Sequence, residues 1–455
     1  MNLYRITFLL LCIIIFSTNI FAQDTHYWNL QYGTRSTLLG GAVIGSVSDI
    51  AATFYNPAAP ALFPKPEILL SGKVYQLSSF KLKNGGGEGK DLDYSVVDVA
   101  PSIFAGSFTF DWLGDNALSY SILTRQHMNY SIEGRNGGIS ERNPDNLVGR
   151  ELISDQNLSD LWIGLTWSRK INDNLAIGVS PYLSVRSQRT RRHAYNEIRN
   201  INNGDVSAGI YTQQFEYQIF SLMAKFGVGA IFDRLTLGLT VTTPYLTITG
   251  EGSSLMNLIN TGSGSDSNTI FIANNQVDVA AAYKTPLSVG FGLGYKIGKH
   301  RIHLSAEYYD AVANYDVLET KDFVGQSDGV TYENSVSTEA KSVLNYGIGG
   351  EFYLKEKLWL FISFVTDYTA SISGTKTNLG VSTWDIFHLS SGVLFSVGRS
   401  EITLGVNYAF GNKKLGDDLN LPDGEIGREL EDILKNAEMD YMRIKLLLGF
   451  SFELN

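Results

Sequence analysis

From Glu67 to the C-terminus the sequence predicts an all-β protein: a transmembrane outer-membrane β-barrel of about 14 antiparallel strands, its lumen plugged by the residues that precede them. Three observations predict this. Apolar and polar residues alternate with a period of two in stretch after stretch, the connections alternate between very short and long, and a targeting segment precedes a stretch that does not alternate.

The alternation is clearest in Glu401–Phe410, where Ile402, Leu404, Val406, Tyr408 and Phe410 are apolar and the residues between them small or polar. Leu287, Val289, Phe291, Leu293, Tyr295 and Ile297 stand in the same way against Ser288, Gly290, Gly292, Gly294 and Lys296. Leu235, Leu237, Leu239 and Val241 stand against Thr236, Gly238, Thr240 and Thr242. Successive strand side chains point to opposite faces, so one face suits lipid and the other a crowded, wet lumen.

Tight turns fall near Asp111 to Asp115, Asn172-Asp173, Asp233, Gly298-Lys299, Lys355 to Lys357 and Gly398 to Ser400. Between them lie long polar stretches at 83–93, 133–157, 194–210, 251–283, 315–340, 372–382 and 411–439. Six short and seven long joins connect fourteen strands, which puts both barrel ends in the periplasm and the long loops outside. A soluble β-sandwich or propeller alternates too, but needs neither this order of loops nor a signal peptide.

Residues 1–22 read as a secretory signal peptide: Arg5, an apolar run from Phe8 to Phe16, and Ala22 before the cut. The single cysteine, Cys12, lies inside that segment, so the mature chain has neither a disulfide framework nor a thiol nucleophile. No other apolar run is long enough for a spanning helix. The 24 Tyr and 24 Phe fit the aromatic girdles of a barrel. A net charge of −10 argues against nucleic acid as a partner. The one basic run (Arg186, Arg189, Arg191, Arg192) sits at the outer end of the fifth strand, where contact with lipopolysaccharide headgroups or solvent is expected.

Residues 23–66 do not alternate. They hold the small-residue stretch Thr37 to Gly45 and then Asp49 to Ala58, and such a segment can fill a barrel, the one place where irregular backbone is tolerated at membrane depth. The Gly-Ala-rich stretch, an acidic residue and then Phe54-Tyr55-Asn56-Pro57-Ala58 resemble the N-terminal hatch of the FadL family of outer-membrane long-chain fatty acid and hydrocarbon transporters. Leu237-Gly238-Leu239 through Thr243-Pro244 to Gly250, and Thr285-Pro286 to Gly290 through Glu307-Tyr308-Tyr309, resemble strand pairs of the same family. The chain departs from the family after the motif, where Ala59-Pro60-Ala61-Leu62 replaces the usual Gly-Leu and Pro60 is placed to reshape the turn. The resemblance implies a hatch at 23–66, a barrel at 67–455, passive uptake of hydrophobic small molecules, and their lateral release through a gap in the wall.

Candidate ligand-binding residues are Phe54, Tyr55, Asn56, Pro57 and Ala58 of the hatch, and Leu255, Met256, Leu258 and Ile259 of an outer loop. Ser253 to Ile259 and Glu425 to Met439 both read as short amphipathic helices, which either capture a greasy ligand or pack together as a cap. Glu307, Arg301, Glu401, Arg443 and Lys445 fall on the lumenal parity of their strands. They either pair with each other or the plug, or meet the carboxylate of a fatty acid.

Enzyme chemistry finds little purchase. His303 and His388 face the lumen by parity, no Gly-x-Ser-x-Gly motif occurs, and His300 with His303 does not complete a metal site. Gly262 to Asp266 lacks the carboxylates of a calcium loop. No cofactor, metal or energy source is expected. The final strand, Leu446 to Asn455, ends in alternating aromatics like those read by barrel-assembly machinery. Expected partners are therefore that machinery, outer-membrane lipid and a hydrophobic ligand, for a monomer. The alternative from another class is a barrel of the same fold acting as a protein-interaction scaffold or shuttle of a secretion system. Pro101 and Pro181 mark candidate positions for a lateral opening, because proline removes a ladder hydrogen bond.

Overall fold

The computed structural model describes residues 26–453 except 65–66, 85–88, 90, 109–110, 141–142, 263–268, 373–382 and 415–435. The expected signal peptide, residues 263–266 of the Gly-Ser-Asp stretch and residues 425–435 of the second expected loop helix lie outside the described residues. Among the described residues three one-turn helices come first: α1 (Arg35–Leu38), α2 (Ala52–Tyr55) and α3 (Ala59–Leu62). Twenty strands follow among the described residues. They are β1 (Glu67–Lys83), β2 (Leu92–Phe108), β3 (Asn116–Ile139), β4 (Asn146–Asn172), β5 (Leu175–Asn200), β6 (Val206–Phe232) and β7 (Leu235–Thr242). Next come β8 (Leu246–Gly262), β9 (Ile270–Ala280), β10 (Ser288–Ile297), β11 (His300–Tyr309), β12 (Val312–Leu318), β13 (Phe323–Val324) and β14 (Thr331–Tyr332). The last are β15 (Val336–Ala340), β16 (Val343–Lys355), β17 (Leu358–Asp367), β18 (Ile386–Val397), β19 (Ser400–Lys414) and β20 (Glu438–Glu453).

Fourteen strands close into one antiparallel ring: β1 to β7, β10, β11 and β16 to β20, with β5 paired to β6 and β20 paired back to β1, where Glu67 stands opposite Glu453. Closure gives every strand of the ring a neighbour on both sides. The ring follows the sequence alternation. Phe291 and Leu404 are 50% and 47% exposed on the lipid side, while Ser288 and Thr403 are 2% and 1% exposed on the lumenal side. The tight turns hold residues of positive φ (Asp233, Gly298, Lys357, Gly398), as two-residue hairpins require.

The outer half differs from the expectation in three places. A spanning strand needs about 9–11 residues, yet β3, β4, β5 and β6 have 24, 27, 26 and 27. Most of the expected loops 133–157 and 194–210 are therefore strand, paired without a break in the ladder from Asn146 opposite Asn200 to Gly164 opposite Tyr182, and on the next edge from Arg199 opposite Val206. The expected helix Ser253 to Ile259 is strand β8, paired to β6 with Leu255 opposite Gln214 and Ile259 opposite Ile210. Its apolar residues cover both faces of a strand rather than one stripe of a helix. At the end of the other expected helix, Glu438 and Met439 begin β20.

The sheet thus branches. β6 pairs β7 over Lys225–Phe232 and β8 over Ser207–Leu222, and β9 adds to β8. Residues 310–342 form an arm of two small hairpins, β12 with β15 and β13 with β14.

Residues 26–62 pack inside the ring, and the wall receives them on glycines. A Cβ on Gly292 would lie 2.5 Å from the Gly45 nitrogen, one on Gly178 would strike the Pro57 carbonyl, and one on Gly238 the Ile44 carbonyl. Gly349 meets Leu39, Gly392 and Gly405 meet Leu38, and Gly449 meets Thr34. The small residues of the alternating strands are where the inner segment's backbone lies directly on the wall.

Candidate functional site

Asn56 organises the inner segment. Its Nδ2 donates to the Ile44 carbonyl at 2.9 Å and to the Val228 carbonyl of β6 at 3.1 Å, and its Oδ1 accepts from the Ala58 nitrogen at 3.0 Å. One buried amide thus ties two parts of the segment to the wall. Pro57 and Ala58 are buried against the Gly178 and Gly229 positions. Pro60 occupies the first turn of α3, where no N–H is needed, so it starts a helix rather than disturbing the motif. Asp49, the acidic residue of the pattern, accepts from the Arg35 and Ser36 nitrogens at the start of α1, and its carboxylate occupies the space beside Gly33 (φ +91°).

Wall charges hold the segment at several points. Arg35 reaches Glu351 at 2.6 Å and Glu401 at 3.2 Å. Arg443 donates to the Asn29 side chain and carbonyl, and Lys445 donates to the same carbonyl at 3.0 Å. Ser46 meets His303 at 2.7 Å. Asp367 accepts from the Trp28 nitrogen at 2.9 Å and lies within 3.6 Å of His26 and 3.7 Å of His388. Of the five lumenal charges read from parity, Glu401, Arg443, Lys445 and Glu307 contact the segment, the last through Trp28 Nε1 at 3.1 Å. Arg301 is half-buried near the periplasmic turn. His300 and His303 do not converge: His300 accepts from the Tyr353 nitrogen at the exposed turn.

Two small cavities flank Tyr27. One, of about 20 Å³, is bounded by Trp28, Gly41, Phe54, Tyr55, Lys225 and Glu307. The other, of about 40 Å³, is bounded by Arg125, Asp160, Trp162, Met223, Tyr245, Tyr283 and Tyr309. Voids of this size hold a water molecule and are too small for an organic molecule. Lys225 Nζ stands 4.7 Å from the Phe54 ring and 3.9 Å from Glu307 Oε1. Arg125 donates to the Tyr27 carbonyl at 3.0 Å, its guanidinium 5.9 Å from the Phe54 ring and 5.5 Å from Trp162. Cations beside ring faces suit a ligand with an apolar body and an anionic head.

Arg125, Lys225, Trp162 and Tyr32 were not singled out from the sequence. The signal for two of them is a lone cation at membrane depth on the lumenal parity: Lys225 follows Ile219, Ser221 and Met223, and Arg125 follows Leu123. The same parity corrects Arg186. Instead of meeting headgroups it is 1% exposed, bonded to Gln126 at 2.6 Å and Tyr217 at 3.2 Å, 3.6 Å from Asp160, and 3.7 Å over the Tyr283 ring. Arg189 and Arg191 are exposed and pair with Glu216 and Asp155.

Of the outer-loop candidates, Leu255, Met256, Leu258 and Ile259 are all half-buried. Met256 and Leu258 share the face of Ser254, whose hydroxyl donates to Asn334 of the arm at 2.9 Å. Leu255 and Ile259 are on the opposite face.

The wall has a seam. β2 pairs β3 only from Ile103 opposite Leu123 to Phe108 opposite Leu118. Beyond that, β2 continues along β1 to Leu82 opposite Leu92, and β3 along β4 to Ile139 opposite Leu147. Among the described residues no ladder joins β2 to β3 there. A bulge carries the register from Ser71 opposite Ile103 to Gly72 opposite Pro101, so Pro101 stands at the seam. Pro181 does not: β5 remains paired to β6 through it, opposite Ala224. On the lumenal side, Tyr32 Oη donates to the Thr124 carbonyl at 2.8 Å, and Phe54 lies edge-on to the Tyr32 ring at 4.6 Å.

A closed antiparallel barrel with an apolar exterior, a filled lumen and long outer strands is a multi-pass protein of the bacterial outer membrane. Its fold is that of the FadL-type channels. The chain is similar to the Pseudomonas putida toluene transporter TodX, with a TM-score of 0.64 and 13% identity over 93% of this chain and 99% of that one. It is similar to a Pseudomonas aeruginosa FadL homologue (0.55; 12%; 96% and 100%) and to the Ralstonia pickettii toluene transporter TbuX (0.52; 12%; 94% and 100%). The sequence matches no protein-family model and no curated protein.

Proposed function

We propose that this protein moves hydrophobic small molecules passively across the outer membrane, and that residues 23–66 act as its hatch. The observation that carries the reading is the line from the cavities to the seam: Lys225, Phe54 and Arg125, then Tyr32 at Thr124. Ligand enters from outside above Tyr245 and Tyr283, displaces the rings around Phe54, and leaves sideways between β2 and β3 when Tyr32 lets go of Thr124. Arg125, whose Nη1 has no hydrogen-bond partner among the described residues, favours long-chain fatty acids over neutral hydrocarbons within this class, while Lys225 is already paired with Glu307. The similar transporters support the same class, and the aromatic lining fits it. Asn56 acts in this scheme as a positioning residue, since backbone groups occupy both ends of its amide. Mass spectrometry of small molecules that copurify with the folded barrel tests the reading. An acyl compound bound to the wild type and lost from Asn56→Ala, Pro57→Ala supports it, and empty protein in both cases counts against it.

One observation favours a second reading, a protein-interaction scaffold. The long strands β3 to β6, with β8 and β9, build an ordered sheet outside the membrane above a tightly filled lumen. Proteins that copurify at fixed stoichiometry, with no small molecule, would move the assignment there.

A further inference from the structure

We propose that the arm at residues 310–342 is a lid over the outer mouth of the barrel, clipped shut by side chains that stand in for a missing strand. The inference takes from the transport reading only what the lid admits. The root of the arm is apolar: Val312, Val317, Leu318, Val336 and Ala340 are buried, and Val317, Leu318 and Val336 belong to the cluster that contains the cavity residues Tyr245 and Tyr283. β12 also pairs with the segment leading into β10, through Ala281 opposite Leu318 and a bond from the Ala282 nitrogen to the Val317 carbonyl. The arm therefore roofs the route to the cavities.

Its tip is held differently. β9 is the last strand of the branch, and its outer edge has no strand partner among the described residues. The Gln326 side chain takes that place at Ala273, accepting from its nitrogen at 2.9 Å and donating to its carbonyl at 2.7 Å. The Ser327 hydroxyl does the same at Phe271, at 2.8 and 3.1 Å. Reciprocally, the Gln276 side chain accepts from the Lys321 nitrogen at 2.9 Å and donates to its carbonyl at 2.7 Å. All three pairs are solvent-exposed, so water replaces them at little cost. An apolar root with a polar, exchangeable clip is the construction of a part that opens and recloses. Protection of the β9 edge alone requires the same bonds but no movement and no effect on uptake.

The sequence has one cysteine, Cys12, in the expected signal peptide, so an introduced pair is cross-linked unambiguously by a reducible bis-methanethiosulfonate linker, which spans the length of the Gln326 side chain as a bare disulfide does not. In liposomes carrying the full-length barrel with Ala273→Cys and Gln326→Cys, uptake of a fluorescent dodecanoic acid is expected to fall at least tenfold on cross-linking and recover on reduction. Equal uptake with and without the cross-link overturns the lid as a gate. Nitroxides at Asp328 and Arg135 report motion without transport. A second, longer distance that grows several-fold in Gln326→Ala, Ser327→Ala is expected, and one unchanged distance in both proteins overturns the proposal. A moving tip on a barrel that takes up no fatty acid with or without the cross-link supports the lid and counts against the transport reading.

Discussion

Tyr32 Oη donates to the carbonyl of Thr124, the first β3 residue beyond the end of its ladder with β2. A side chain of the inner segment thus occupies a wall carbonyl at the seam. Tyr32 is fully buried and also donates its nitrogen to Tyr55 Oη at 2.9 Å, so its ring is fixed from both ends.

Tyr32→Phe removes that bond and little else. A hydrogen bond is worth about 1 kcal/mol net, so the closed form weakens about fivefold relative to the open one. Fatty acid release into the bilayer is expected to quicken by up to that factor, read as the rate at which a fluorescent acid leaves the barrel for acceptor vesicles. An unchanged rate with an intact barrel removes Tyr32 from the gate.

The glycines on the inner wall make a separate prediction. In Gly292→Val the new side chain meets the Gly45 backbone, and overpacking of this kind costs about 1–3 kcal/mol. The cost falls on the seating of Ile44 to Ser46, because the ladders of β10 with β7 and β11 are unaffected. A normally assembled barrel with raised ion conductance in planar bilayers is expected, whereas wild-type conductance would show that the inner segment does not seal the lumen there.

Arg35 tests how the segment is latched. It bridges Glu351 and Glu401, whose side chains are 6% and 21% exposed. Arg35→Met leaves two carboxylates facing each other without their cation, a loss of roughly 3–5 kcal/mol for a buried pair. Faster protease cleavage within residues 26–62 is expected, with substantial recovery when Glu351→Gln and Glu401→Gln are added. Equal cleavage of wild type and Arg35→Met would contradict the latch.

On β8 the two faces separate the candidate residues. Leu258→Ser, on the face of Ser254 and the arm, is expected to weaken ligand capture several-fold, and Leu255→Ser, on the other face, to leave it within about twofold. Binding of a fluorescent acid to the folded protein distinguishes them, and equal effects would return Leu255 and Leu258 to a shared surface.

The ring was legible because lipid and lumen impose opposite chemistry on alternate residues, as at Leu287 to Ile297, and because hairpin turns demand residues such as Gly298 and Gly398. The branch was not. Leu255, Met256, Leu258 and Ile259 fit a helical stripe as well as a strand covered on both faces, and periodicity cannot separate the two in so short a run. Long polar strands such as Asn146 to Gln156 lack an apolar face and so read as loop. Phe54 and Asn56 were found through the motif, whereas Arg125 and Lys225 carry no motif and stand out only as isolated cations on the lumenal parity. The seam is a property of pairing between chains of residues far apart, which only Pro101 hinted at.

The path itself is tested most directly with a photoactivatable long-chain fatty acid, crosslinked to the folded protein and located by peptide mass spectrometry. Label is expected on the peptides of Phe54, Trp162 and Tyr245 and on those bordering the seam at Ile103 and Thr124, with the seam fraction raised in Tyr32→Phe. Label confined to lipid-facing positions such as Phe291 and Leu404, as on any barrel in a bilayer, would contradict this path.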